Sequence, residues 1–289
     1  MNTIIEQMLR NYGEYRLTNR KNVVKEIMQE IVLYGLSKSG FFKQAAFYGG
    51  TALRIFYGLD RFSEDLDFSL LTSNENFDLS AYFSTLEKEM QSFGLNIEIT
   101  EKEKRVDSNI QSAFLKANTK EHILLFYGDE VLQGIHGREK IKIKFEVDTN
   151  PPAYANIEHK YRLLPSPYEI ALYDAPSLFA GKIHAVLCRA WKTRIKGRDL
   201  YDYIFFLSRS VPVNIAHLYA RLVQSDYLYS AQDYALSDLK QDLQRHFETI
   251  DFKKAKEDVE PFVRNQESLS VWSSEFFIQI TEQLTVAEK

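Results

Sequence analysis

Two stretches decide the fold: Phe47-Tyr-Gly-Gly-Thr-Ala-Leu-Arg54 and, after a short link, Arg61-Phe-Ser-Glu-Asp-Leu-Asp-Phe-Ser-Leu70. They read as strand, glycine turn, short helix, loop and second strand. Ala45 to Tyr48 is apolar and runs into Gly49-Gly50, where the backbone can turn tightly with no Cβ in the way. Thr51 then opens a helix through Ala52, Leu53 and Ile55. The first N–H groups of a helix lack partners within it, and they favour an anion such as a triphosphate. Asp65 and Asp67 stand two apart in a β-like run, so both carboxylates project from one face while Leu66 and Phe68 take the other. Side-by-side carboxylates repel unless a cation sits between them, and Mg²⁺, a hard ion that shares its shell with phosphate oxygens, suits them. A glycine pair before a helix is often only a turn, and Asp-x-Asp is common on strand ends. Together they supply a phosphate cradle and a metal platform in one supersecondary unit.

The chain around this unit has 289 residues, enough for one large or two ordinary domains. Hydrophobic content of 45% and charged content of 26% are those of a soluble globular protein. A formal charge of −4 excludes a basic nucleic-acid coat, so any nucleic-acid contact is a local patch. The lone Cys188 excludes an intrachain disulfide and, in the apolar run Ala185-Val-Leu-Cys, reads as a buried, inert thiol. No apolar run approaches membrane-helix length and the first residues show no signal-peptide pattern, so a cytoplasmic protein is expected.

Taken in order, residues 22–37 read as an amphipathic helix, with Val23, Ile27, Ile31 and Tyr34 at helical spacing and Ser39-Gly40 as its stop. Asp78 caps a helix that ends near Gly94. Residues 96–100 and 112–117 alternate as strands, with a solvated charge run from Glu101 to Arg105 between them. Residues 140–148 form the cleanest strand: Ile141, Ile143, Phe145 and Val147 face one way, and Lys142, Lys144, Glu146 and Asp148 the other. Pro151-Pro152 ends it. From Pro165 onward the pattern is helical, with starts at Asp174 and Gly197 and further helices over roughly 214–224, 231–247, 252–263 and 269–284. The expected organisation is an α/β sheet domain over 1–160 and a mostly helical domain over 161–289.

Several residues outside the central unit can carry chemistry. Asp148 ends a strand on its polar face, where a third carboxylate could complete metal binding and help deprotonate an attacking hydroxyl. Glu146 competes for that role, and both could merely solvate the strand. Lys182 lies on a helix amid Phe179, Ala180, Ile183 and Ala185, with Arg189 on nearly the same face. Asp199 and Asp202 are i,i+3 on one helix, and Arg198 could pair with either; a structural ion-pair cluster is the alternative for Asp202. The segment from Arg189 to Arg198 holds five basic residues, no acid and Trp191. Arg194 and Lys196 there could hold an RNA backbone, whereas Trp191 reads as core. The six histidines show no zinc-ligand spacing, and His184 is the one nearest Lys182. No Gly-x-Ser-x-Gly elbow or Walker-type loop occurs, which argues against a hydrolase triad and a P-loop ATPase.

The motifs Gly49-Gly50-Thr51-Ala52-Leu53-Arg54 and Arg61-Phe62-Ser63-Glu64-Asp65-Leu66-Asp67-Phe68 resemble those of the AbiEii/AbiGii toxin family. So do Lys182, Ala185 and Arg189, followed by Arg198, Asp199 and Asp202. The resemblance implies a polymerase β-type nucleotidyltransferase sheet domain followed by a helical domain that contributes Lys182 and Asp199 to the site. It implies transfer of NMP from an NTP to an acceptor hydroxyl in a type IV toxin–antitoxin, phage-abortive system. The expected acceptor is RNA, the 3′ end of tRNA being the favoured case, and the expected partner is a winged-helix antitoxin encoded nearby. Asp65, Asp67 and Asp148 would hold Mg²⁺, with Mn²⁺ as a substitute. Gly49, Gly50, Thr51, Arg54, Ser63 and Lys182 would surround the nucleotide, with Asp199 also in the site. Many polymerase β-like enzymes carry Gly-Ser in the turn where this chain has Gly49-Gly50, so the phosphate-contacting hydroxyl falls to Thr51 or Ser63. The same site would equally serve a small-molecule or protein hydroxyl, or bind nucleotide without turnover.

Overall fold

The computed structural model describes residues 3–101, 119–127, 141–189, 195–229 and 233–287. The chain forms two compact units: residues 1–56, 62–151 and 157–172 make the first, and 57–61, 152–156 and 173–289 the second.

The first unit is built on a mixed sheet. Its described strands are β1 (Ala45–Tyr48), β2 (Leu66–Leu70), β3 (Asn96–Glu101), β4 (Thr119–Tyr127), β5 (Ile141–Asp148), β6 (Ile157–Arg162) and β7 (Tyr168–Tyr173), in the order β3-β4-β5-β2-β1-β7-β6. β1 runs antiparallel to β2 and parallel to β7, while β2 runs parallel to β5. The strands that follow the change of texture near residue 160 thus belong to the sheet, because β7 pairs with β1 through Phe47 and Leu172. One face of the central strands packs through aromatics. Phe68 stacks on Phe145 with ring centroids 4.6 Å apart, and Phe41 and Phe47 meet Phe68 at 5.0 and 5.1 Å. That packing turns Leu66 and Phe68 inward, as the alternation of the Asp65-Asp67 stretch requires.

The helices of this unit are α1 (Thr3–Arg10), α2 (Tyr15–Thr18), α3 (Arg20–Lys38), α4 (Gly49–Tyr57) and α5 (Phe83–Ser92). α3 is where the amphipathic reading needs correction: Glu26, Gln29 and Glu30 are buried along with Val23, Ile27 and Ile31. Each of these side chains has a partner, although Gln29 Oε1 is left without one among the described residues. Glu26 accepts from the Tyr12 hydroxyl at 2.7 Å and from Arg54 Nε at 2.7 Å. Glu30 accepts from Arg162 at 2.6 Å, and Gln29 donates to the Ser63 carbonyl at 3.3 Å. Burial raises the Glu30 pKa, opposed by Arg162, and pushes the Tyr12 phenol up, with Glu26 adding to the rise.

The second unit is helical: α6 (Ala175–Cys188), α7 (Gly197–Ser208), α8 (Ile215–Gln224), α9 (Leu236–Phe247), α10 (Phe252–Val259) and α11 (Ser274–Thr281). Asp174 caps α6 by accepting from the Ser177 N–H at 2.8 Å, with Pro176 in the first turn. The core runs through Phe179 stacked on Phe206 at 4.6 Å, and through Tyr203, Phe247 and Phe277. α7 starts hard against α10, where a Cβ on Gly197 would lie 1.7 Å from the Ala255 carbonyl oxygen. Only glycine allows that approach. Among the described residues no helix is long and apolar enough to cross a membrane.

Candidate active site in the sheet unit

The site begins where β1 becomes α4. Gly49 has φ +82°, a conformation glycine alone adopts without strain, and α4 starts at that residue. The register of β1 on β2 sets Tyr48 opposite Asp67. The Asp67 carboxylate lies against the turn so closely that a Cβ on Gly49 would fall 2.2 Å from Oδ2. The glycine turn, the start of a helix and an acid are therefore in one place. Thr51 is fully buried, and its hydroxyl donates to the Asp65 backbone carbonyl, tying the start of α4 to the residue before β2. The Ser63 side chain has no partner among the described residues.

Asp65 and Asp67 are both partly exposed, at the N-terminal end of β2. As oxygen donors they fit a hard divalent ion, and the missing Cβ of Gly49 is what lets the Asp67 carboxylate lie against the turn. The structure does not bring Asp148 to this pair. In the parallel register Asp67 pairs with Glu146 and Ser69 with Asp148, a full pleat further along. Asp148 accepts from the Asn150 N–H at 3.0 Å, closing the turn before Pro151. Glu146, the neighbour of Asp67, contacts Lys144 Nζ, which also lies 3.5 Å from Glu121. No group of three or more His, Cys, Asp or Glu residues is gathered at metal-holding distance among the described residues.

Arg54 points elsewhere than the expected phosphates. It lies past the first turn of α4, pairs with buried Glu26 and stacks its guanidinium 4.8 Å from the Phe62 ring centroid. Burial works against the Arg54 charge, but Glu26 outweighs it and raises the pKa.

Beside Asp65 opens a pocket of about 380 Å³, lined by Lys21 and Lys25 of α3, Glu64, Asp65, Ile123 of β4, and Ile141, Lys142 and Lys144 of β5. In the sequence Lys142 and Lys144 read only as the polar face of a strand. The signal that could have singled them out is their alternation with Glu146 and Asp148 on that face.

The second unit holds its own charge cluster. Asp202, fully buried, accepts two hydrogen bonds from Arg61, at 2.7 Å from Nε and 2.6 Å from Nη2, and lies 2.7 Å from Lys182 Nζ. Asp199 is also buried and pairs with Arg189 at 2.9 Å and Lys182 at 3.5 Å. Burial alone would raise the Asp199 pKa, yet Lys182, Arg189, Lys196 and Arg61 together lower it. Asp202 is thus the anchor of Arg61, a residue whose role the sequence did not disclose. Arg198 pairs with neither aspartate: it lies 4.0 Å from Asp258 and 4.3 Å from the Phe262 ring centroid. His184 faces Ser225 at 3.0 Å, and burial holds its pKa well below the ordinary value, so it is a neutral packing residue. Burial pushes the Cys188 thiol up to about 11, consistent with an inert sulfur. Of the basic segment, Arg189, Lys196 and Arg198 are described, and Lys196 is partly exposed. Arg194 and Trp191 lie outside the described residues, as does the strand expected over 112–117.

Comparison with known proteins bears on this arrangement. The family model for the nucleotidyl transferase AbiEii toxin of type IV toxin–antitoxin systems matches residues 31–279. No curated protein matches the chain in sequence. Among solved structures, a putative nucleotidyltransferase from Helicobacter pylori is similar at TM-score 0.50 and 16% identity, over 92% of this chain and 96% of its own. JHP933 from Helicobacter pylori is similar at TM-score 0.50 and 18% identity, over 91% and 93%. MenT4, a nucleotidyltransferase toxin from Mycobacterium tuberculosis, is similar at TM-score 0.52 and 14% identity, over 98% and 88%. At such identities the structures speak for the fold, which is that of nucleotidyltransferases, while the family match spans both units. The chain belongs to the AbiEii family of nucleotidyltransferase toxins.

Proposed function

We propose that this toxin moves NMP from an NTP onto an acceptor hydroxyl, with RNA as the acceptor and the 3′ end of tRNA as its favoured form. The observation that carries the reading is the Asp67 carboxylate held against the Gly49 turn at the start of α4, so that acid and phosphate cradle share one spot. The acceptor oxygen forms a bond to the α-phosphorus, the bond to the bridging oxygen breaks, and pyrophosphate leaves with its electron pair. The acceptor proton passes to a carboxylate oxygen of Asp65. Gly49 and Gly50 offer backbone N–H groups to the departing phosphates, and Ser63 adds its hydroxyl. Mg²⁺, or Mn²⁺ in its place, would be held by Asp65 and Asp67 and supplies charge neutralisation for the phosphate oxygens.

In this reading the protein acts in the cytoplasm as the toxin of an abortive-infection pair, restrained by a winged-helix antitoxin encoded beside it. The test incubates the protein with each labelled NTP and total RNA, in parallel with Asp67→Asn. Label on RNA from the unaltered chain, absent with the folded variant, is the expected result. Label that appears on protein, or equal turnover by Asp67→Asn, refutes it.

A further inference from the structure

We infer that the lysine-lined pocket beside Asp65 is the acceptor subsite, and that it takes a phosphodiester strand next to its reacting hydroxyl. This rests on the transferase reading above. β2 lies between β1 and β5, so its carboxylates have two flanks. On the β1 flank Gly49 meets Asp67. On the β5 flank Phe145 pairs with Leu66, which sets the preceding residues, Lys144 and Asp65, side by side. The pocket opens on that second flank. A displacement at phosphorus brings the entering oxygen in opposite the departing one. With the leaving phosphates at the glycine turn, the acceptor comes from the lysine side.

The chemistry of the walls says what kind of acceptor fits. Four ammonium groups, from Lys21, Lys25, Lys142 and Lys144, face two carboxylates among the lining residues, in a chain whose overall charge is −4. Lys25 is steered by Glu64 at 3.3 Å, and Lys144 by Glu121 and Glu146, so two of the ammoniums are held in place. Lys142 is exposed to an approaching ligand. Ile123 and Ile141 give an apolar wall between them. Phosphates on the lysines and a ribose or base on Ile123 match this lining. A neutral small acceptor or a protein hydroxyl would bring no charge to meet Lys142.

The experiment uses the full chain and a short fluorescent single-stranded RNA with a free 3′ hydroxyl. Binding is followed by anisotropy across a salt series, and transfer of labelled NMP to the same RNA is measured alongside. Lys21→Ala with Lys142→Ala should weaken RNA binding and make the log–log salt slope shallower by about 1.4, or ~0.7 per lost lysine. The paired arginine variant should keep both affinity and slope, which separates lost charge from lost fold. Affinity for a fluorescent NTP analogue should stay the same. Unchanged RNA affinity and slope in the alanine variant overturns the inference, and so does an equal loss of NTP binding, which would make the pocket the nucleotide's. If the unaltered chain binds RNA through these lysines yet transfers no NMP, the pocket holds RNA but is no acceptor subsite, and the transferase reading falls.

Discussion

Gly49→Ala is the sharpest probe of the active site. The new methyl group would start 2.2 Å from Asp67 Oδ2, whereas ordinary contact begins at 3.4 Å, so the carboxylate has to retreat by about 1.2 Å. Displacements of this size in a catalytic group cost on the order of 10²-fold in rate. The residue must also hold φ +82°, which costs an alanine about 1–2 kcal/mol. The variant should therefore lose about a hundredfold in NMP transfer while losing only that modest share of stability. Initial rates with labelled NTP report the first quantity, and urea unfolding followed by circular dichroism reports the second. Transfer within about threefold of the unaltered rate, in a variant shown to be folded, would mean that the acid against the glycine turn has no part in the chemistry.

Other outcomes follow from the same geometry. Asp67→Asn should abolish transfer with little change in unfolding midpoint, because the side chain is partly exposed and not part of the aromatic packing. Asp202→Ala leaves Arg61 and Lys182 without their shared carboxylate in a buried place and should cost about 3–5 kcal/mol, measured by the same urea titration. His217 is fully buried with Nδ1 donating to the Ala153 carbonyl at 2.8 Å, and burial lowers its pKa to about 3. Its folded pKa lies below the unfolded value of ~6.5, so the unfolded chain takes up the proton first. Stability is then lost as pH falls from ~6.5 toward 3, at ~1.4 kcal/mol per pH unit for this one group. His217→Gln should flatten that part of the curve, and an identical acid profile would refute the assignment.

The turn and the carboxylates were legible in the sequence because each carries a local signal. Gly49 is demanded by its own backbone angle, and Asp65 and Asp67 share a face by strand alternation alone. What was not legible depends on partners far along the chain. Asp148 and Glu146 look equivalent on one strand, and only the pairing of Glu146 with Asp67 tells them apart. Arg54 sits within a recognisable motif, but its partner Glu26 comes from α3, where the residue reads as part of a solvated face. β6 escaped because as an edge strand it alternates exposed with half-buried positions and has no apolar stripe. The polar groups of α3 were misread for the converse reason: burial with a partner leaves no trace in hydropathy.

The anchoring of Arg61 by Asp202 has a consequence for how the toxin is made. Residues 57–61 belong to the helical unit, although they lie between the two halves of the nucleotide motif. The link is held there by Arg61 on Asp202, by the Tyr201 hydroxyl on Asp60 at 2.6 Å, and by the Tyr57 hydroxyl on the Tyr173 carbonyl at 2.7 Å. During synthesis the glycine turn and both aspartates leave the ribosome well before Tyr173, Tyr201 and Asp202 exist. A nascent chain thus carries the full nucleotide motif with its connecting link still untethered. The last tether forms only after α7 has been translated, so a chain ending before Tyr201 holds Gly49, Asp65 and Asp67 but lacks the partners of Asp60 and Arg61.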